Sequence, residues 1–236
     1  MPFRSLDPDL ILATAAALEN RVAARFPERG LRKVAGEIVA LSNTAIAEAR
    51  ALQPPIWWLR ILVGAIVLAG AALFLTVGSV ISLDPSGQGE GVSVESIEAA
   101  INTLVLGGLG LAALTQLEAR VKRRRVARRL HELRSVIHVI DMHQLTKDPA
   151  ALSPDYESTS ASPARTLSAP ELSRYLDYCS ELLAITGKLA ALYAQAVNDD
   201  GAASAVNDIE MLGSTLSRKI WQKITMIETR APCHGR

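Results

Sequence analysis

Two uncharged runs constrain this chain more than any other feature. Residues 61 to 83, ILVGAIVLAGAALFLTVGSVISL, carry no charged side chain across 23 positions, and residues 99 to 117, AAINTLVLGGLGLAALTQL, carry none across 19. As helices, either run covers a hydrocarbon core of about 30 Å. A single run of this kind can be a buried core helix, but two in 236 residues leave little chain to bury them. The mean hydropathy of +0.20 is high for a soluble protein, and these runs account for the excess. The expectation is a two-span transmembrane hairpin within 56–118, with helices at about 57–83 and 97–118 and a short external loop at 84–96.

Charge sets the orientation. DPSGQGEGVSVESIE, residues 84 to 98, holds Asp84, Glu90, Glu95 and Glu98 and no lysine or arginine. Just past the second run come Arg120, Lys122, Arg123, Arg124, Arg125, Arg128 and Arg129. Basic residues beside a span resist translocation, so both termini are expected in the cytoplasm and the protein in a bacterial-type inner (cell) membrane as a multi-pass chain. Arg50 and Arg60 mark the same side, and Trp57 and Trp58 suit the headgroup layer. The basic set would lie against anionic headgroups, each cation gaining on the order of 1 kcal/mol. The lipid bilayer and those headgroups are thus the first expected partners. Nucleic acid is not expected, because no RNP-like aromatic pattern, Gly-rich phosphate loop or zinc-finger spacing accompanies the basic run. The first 50 residues are polar-amphipathic, so the first span is expected to act as an uncleaved anchor.

The remaining segments read as helices with no alternation of period two, which makes the fold class all-α. An N-terminal cytoplasmic hairpin is expected over 1–55: Asp7 caps a first helix with Pro8 at its first position, and Leu31, Val34, Ile38, Leu41, Ala45 and Leu52 repeat at helical spacing until Pro54-Pro55. No proline or glycine occurs from Leu111 to Asp148, so the second span continues through 119–147 as one long helix to about Leu145. Leu130, Leu133, Ile137 and Ile140 give that helix a narrow heptad-like, coiled-coil seam. Residues 148–169, rich in serine and threonine, read as a flexible linker, with Asp148 capping a short turn at Pro149. A C-terminal helical pair fills 170–230. Its first helix opens on Ser168 and Glu171, spaced as a capping box, and carries Leu172, Leu176, Cys179, Leu183, Thr186, Leu189 and Tyr193. Its second carries Val206, Ile209, Gly213, Leu216, Ile220, Ile224 and Ile227, and 231–236 is a tail. The cytoplasmic helices are expected to pack as an antiparallel bundle.

Three of the four histidines fall between residues 131 and 143. On one helix His131, Arg134, His138 and Asp141 stand at i, i+3, i+7 and i+10 and so align in a stripe. With Val136, Ile137, Val139 and Ile140 around it, His138 reads as a buried group partnered by Arg134 and Asp141, in a polar network that fixes helix register. His131 and His138 lie about 10.5 Å apart along the axis, too far to share an ion. His138 with Asp141 is the remaining metal candidate, to be completed by Asp177, Glu181, Asp208 or Glu210 from other helices. Arg134 in the same stripe opposes a bound cation, so neither a metal nor another cofactor is expected. Catalysis has no support: no Gly-x-Ser-x-Gly elbow occurs. Cys179, on the apolar side of its helix, and Cys233 show neither disulfide nor zinc spacing.

Within the spans, Gly107, Gly108 and Ala112 on one side and Ala65 and Ala69 on the other form small-residue faces that allow close helix packing, within one chain or between copies. The sequence therefore points to a non-enzymatic, oligomeric two-span anchor with a cytoplasmic helical assembly or signal-receiving module, its partners a second copy of itself and a cytoplasmic protein. The alternatives are an oligomeric ion channel or membrane-perturbing effector, with Asn102 and Thr103 near its pore, and a membrane-tethered metal-dependent enzyme centred on His138 and Asp141.

Overall fold

The computed structural model describes residues 5–52, 57–58, 61–62, 64–66, 68–70, 72, 94–153, 155–163, 166–197 and 199–230. Among these no residue is in a strand, and the chain is all-helical. The elements are α1 (Pro8–Arg25), α2 (Gly30–Leu52), α3 (Val94–Leu145), a 3-10 turn (Pro149–Leu152), α4 (Ala169–Ala196) and α5 (Asp200–Arg230). Two compact units divide the chain: residues 1–53 with 125–236, and residues 54–124.

Local chemistry fixes the helix ends. The Asp7 carboxylate accepts from the backbone N–H groups of Asp9 (2.9 Å) and Leu10 (3.3 Å), satisfying donors that have no partner within α1. At the start of α4 the Glu171 carboxylate accepts from the Ser168 backbone N–H (2.8 Å) and hydroxyl (2.6 Å). Asp148 caps the 3-10 turn through the Ala150 N–H at 2.9 Å. The segment read as a flexible linker is tied down at three points: Pro149 is buried, and Leu152 and Leu167 pack against the core.

In the first unit the helices form an antiparallel bundle. α1 and α2 lie side by side across a short turn, with Arg50 reaching Asp9 at 2.9 Å. α4 and α5 form a second hairpin, and α4 also packs on α1 and α2. The last part of α3 runs along α2, α4 and α5, contacting them through long side chains: Arg129 meets Glu48, His143 meets Tyr175, and Lys223 meets Gln144. The apolar seams read from the sequence on the last part of α3, on α4 and on α5 are buried. Val126, Leu130, Leu133, Ile137 and Ile140 of α3 enter the same core as Leu172, Leu176, Cys179, Leu183 and Leu189 of α4 and Val206, Ile209, Leu216, Ile220 and Ile224 of α5. α4 is packed from several sides, so Tyr175, Tyr178, Leu182, Ile185 and Leu192 are buried as well. Core hydroxyls bond back to their own helices, Ser42 to the Ile38 carbonyl (2.7 Å) and Thr186 to that of Leu182 (2.8 Å). Among the described residues no buried side-chain nitrogen or oxygen lacks a partner.

In the second unit many of the described side chains are large, apolar and exposed. Trp57, Trp58, Ile61, Leu62, Ile66 and Leu68 lie open on one stretch, and Ile101, Val105, Leu109 and Leu117 on α3. Among the described residues no helix is long and apolar enough to cross a membrane. Most of 73–93, several positions between 59 and 71, and some side chains of 94–118 fall outside the described set. The expected external loop and much of the first expected span lie there.

Candidate functional site

Polar chemistry in the bundle gathers at its two ends. At the end that holds the last turns of α2, Glu48 of α2 meets Arg129 of α3 and Tyr193 of α4. The Arg129 Nε donates to both Glu48 carboxylate oxygens, at 3.0 and 2.8 Å, and Nη2 also donates to Oε1. Nη1 donates to Glu132 at 2.7 Å, and the Tyr193 hydroxyl donates to Glu48 Oε2 at 3.0 Å. The Glu48 side chain is 22% exposed and that of Arg129 is 30% exposed, so the pair is partly withdrawn from water. The Arg129 hydrogen bonds hold the Glu48 carboxyl below its ordinary range, outweighing burial, which pushes it up; Tyr193 adds to the lowering.

This arrangement corrects one reading of the basic run. Arg129 was expected at the lipid surface, yet its guanidinium is committed to Glu48 and Glu132. The reason is its place on the helix: it flanks buried Val126, Leu130 and Leu133 and so turns toward α2. Arg120, Arg123, Arg124, Arg125 and Arg128 are exposed, and Lys122 is half-buried.

At the other end, α3 stops against the start of α2 and the first turns of α4. The His143 ring lies so close to Gly30 that a Cβ on that glycine would stand 2.5 Å from Cε1. His143 Nδ1 is 3.5 Å from the Tyr175 hydroxyl, and Phe26 meets Tyr175 edge to face at 5.4 Å. Burial, then the nearby Lys147 charge, pushes the His143 imidazole below its usual range. Beside it, Lys223 of α5 donates to the Gln144 carbonyl (2.9 Å) and side-chain oxygen (2.6 Å), and Gln144 donates to Asp141 at 2.6 Å. We expect Gly30→Ala to cost about 1 kcal/mol, because the ring must yield to the added methyl. The loss should disappear in a His143→Ala background, read as the shift in urea midpoint; an equal loss in both backgrounds would refute the contact.

The expected polar stripe is not buried. His131, Arg134 and His138 are exposed, and Asp141, half-buried, is engaged by Gln144 rather than by His138. The helix geometry is as read, but α3 turns its seam of Leu130, Leu133, Ile137 and Ile140 inward, leaving the stripe on the flank that faces water. Metal-ligand candidates are dispersed for the same reason: Asp177 pairs with Arg174 at 2.8 Å and Glu181 with Arg21 at 2.5 Å. Among the described residues no group of three or more His, Cys, Asp and Glu side chains is gathered to hold an ion. Cys179 is fully buried, and burial pushes its thiol up to about 12, so it carries no thiolate for chemistry at neutral pH. In the second unit Ala65, Ala69, Gly107, Gly108 and Ala112 are exposed, and a Cβ at Gly107 or Gly108 would meet nothing within 4 Å among the described residues. The side chains of Asn102 and Thr103 lie outside the described set.

The sequence gives no pairwise signal for Glu48–Arg129–Tyr193, whose members come from three helices. Arg129 stands in the basic run and Tyr193 on the apolar seam of its helix, and nothing in the sequence singles out Glu48. No protein-family model, curated protein or solved structure matches the chain.

Proposed function

We propose that the protein is a non-enzymatic membrane anchor: a two-span hairpin in a bacterial-type inner membrane, with both termini and the helical bundle in the cytoplasm. The bundle acts as an assembly or signal-receiving module, and the protein works as an oligomer. The observation that carries this reading is the exposure of large apolar side chains on the two uncharged stretches. Leu68 is 72% exposed and Leu109 is 64%, and Trp57 and Trp58, just ahead of the first stretch, are 67% and 69% exposed. Apolar surface on this scale needs a cover other than water, and uncharged runs of 23 and 19 residues suit lipid. The acidic loop and the exposed arginines past Leu117 support the orientation. The open small-residue positions at Gly107 and Gly108 support contact between copies. The metal-enzyme alternative loses its motivating geometry with His138 in solvent.

The test is carbonate extraction of membranes, combined with labelling by a membrane-impermeant maleimide in a Cys233→Ser background. The protein is expected to stay in the pellet. Ser86→Cys, in the loop, should label in intact cells, and Ser204→Cys, in α5, only after lysis. Release into the supernatant would end the membrane reading, and labelling of Ser204→Cys in intact cells would reverse its orientation.

A further inference from the structure

Beyond the end of α3 a cleft of about 620 Å³ opens between the 3-10 turn, residues 156–163, residues 166–167 and the start of α4. That volume falls within the range of roughly 300–1,000 Å³ typical of small-molecule sites. Its apolar wall is made by Leu152, Leu167 and Leu172, and its edge carries the hydroxyls of Thr146, Ser158 and Thr166. These three hydroxyls form no hydrogen bond among the described residues, whereas Thr159 and Ser162 turn theirs on each other at 3.1 Å.

Among its described lining residues the cleft carries one cation and one acid, and a second cation beside it tips the charge to positive. Lys147 lines it half-buried, its ammonium 5.4 Å above the Tyr175 ring, with no carboxylate partner among the described residues. Arg29 adds a second cation nearby, donating to the Thr166 carbonyl at 3.4 Å. Among the described residues the one acid lining the cleft is Asp148, whose carboxylate caps Ala150 and whose charge is felt by Lys223. Burial, then Arg29, lowers the Lys147 affinity for its proton, a cost that an arriving anion would offset.

We propose that this cleft binds a small hydroxylated organic anion, the size of a sugar acid or a sugar phosphate. The Lys147 ammonium meets the charged head, the free hydroxyls of Thr146, Ser158 and Thr166 meet the ligand's own, and the leucine wall takes its C–H face. The proposal gives the signal-receiving bundle a ligand class and rests on that reading only for its biological purpose.

Full-length protein in lipid nanodiscs is titrated calorimetrically with glucose 6-phosphate, gluconate, glucose and inorganic phosphate. One of the two hydroxylated anions is expected to bind one to one, with glucose and inorganic phosphate at least about tenfold weaker. Preference for glucose 6-phosphate identifies a phosphate head, and preference for gluconate a carboxylate. Lys147→Gln should weaken binding by about tenfold while Lys147→Arg keeps it. Ser158→Trp, at an exposed edge position, should block it without touching the core. The proposal is overturned if neither anion binds, if glucose binds as well as they do, or if Lys147→Gln and Ser158→Trp bind like the parent. A negative titration leaves membrane anchoring standing, because carbonate extraction reads that separately.

Discussion

Replacing Ile137 with alanine is expected to destabilise the bundle by about 3 kcal/mol, while His138→Ala, one residue on, should change it by less than about 0.5 kcal/mol. Ile137 is fully buried in the core, near Gly213 of α5, and alanine there removes most of the side chain and leaves a cavity its neighbours cannot fill. His138 projects into water from the adjoining flank. The measurement is urea unfolding followed by far-ultraviolet circular dichroism, which reads the midpoint for both variants. A comparable loss for His138→Ala would mean that the histidine is held by contacts after all, and would restore the register role that the sequence suggested for it.

The second large effect is expected at Arg129. Arg129→Met should cost about 2–3 kcal/mol, because it leaves the partly buried Glu48 carboxylate without its charge partner and leaves Glu132 unpaired. Tyr193→Phe, which removes one neutral donor, should cost about 1 kcal/mol. The double variant Glu48→Gln with Arg129→Met should be less destabilised than the sum of the singles, as expected for groups that act together. Linkage gives a pH signature. The Glu48 carboxyl is lowered in the fold, so the stability it contributes is present above its ordinary value of 4.5 and is lost as pH falls through the lowered value. Urea midpoints should therefore fall toward acid in the parent protein and fall less in Glu48→Gln. Parallel pH profiles for the two would show that the pair contributes nothing. Because Arg129 closes a basic run that adjoins the uncharged stretch, this clamp also ties α3 to α2 and α4 at the point where the chain enters the bundle.

The inward seams could be read from spacing alone, because a 3.6-residue period leaves a narrow choice of face: Leu172 through Tyr193 on α4, and Val206 through Ile227 on α5, are buried as their periodicity predicts. Helix starts were legible where a short polar side chain sits before a proline, as at Asp7 and Asp148, and where Ser168 and Glu171 are spaced as a capping box. The polar stripe misled for a related reason. Spacing places His131, Arg134, His138 and Asp141 in line, but a line beside an apolar seam can lie on either its inner or its outer flank. The positions of α2, α4 and α5 around α3 decide which, and no residue on α3 encodes them.

Pairings across helices were beyond the sequence in the same way. Arg129 belongs by sequence to a run of cations whose other members are mostly exposed, and only its turn toward α2 separates it from them. Lys147 looks by sequence like one end of a helix, and its lack of a counter-ion among the described residues appears only once Tyr175, Arg29 and residues 156–163 and 166–167 are placed near it. The chain by itself determined the all-helical class, the capped helix starts and the faces of α4 and α5 that turn inward, because each follows from local dihedral preference and the period of the apolar residues. Tertiary structure alone decided which charges meet, that Glu48 and Tyr193 claim Arg129, and that a cleft opens beside Lys147. Those depend on how separate helices are placed around one another, and side-chain packing sets that placement over sequence separations that no local pattern spans.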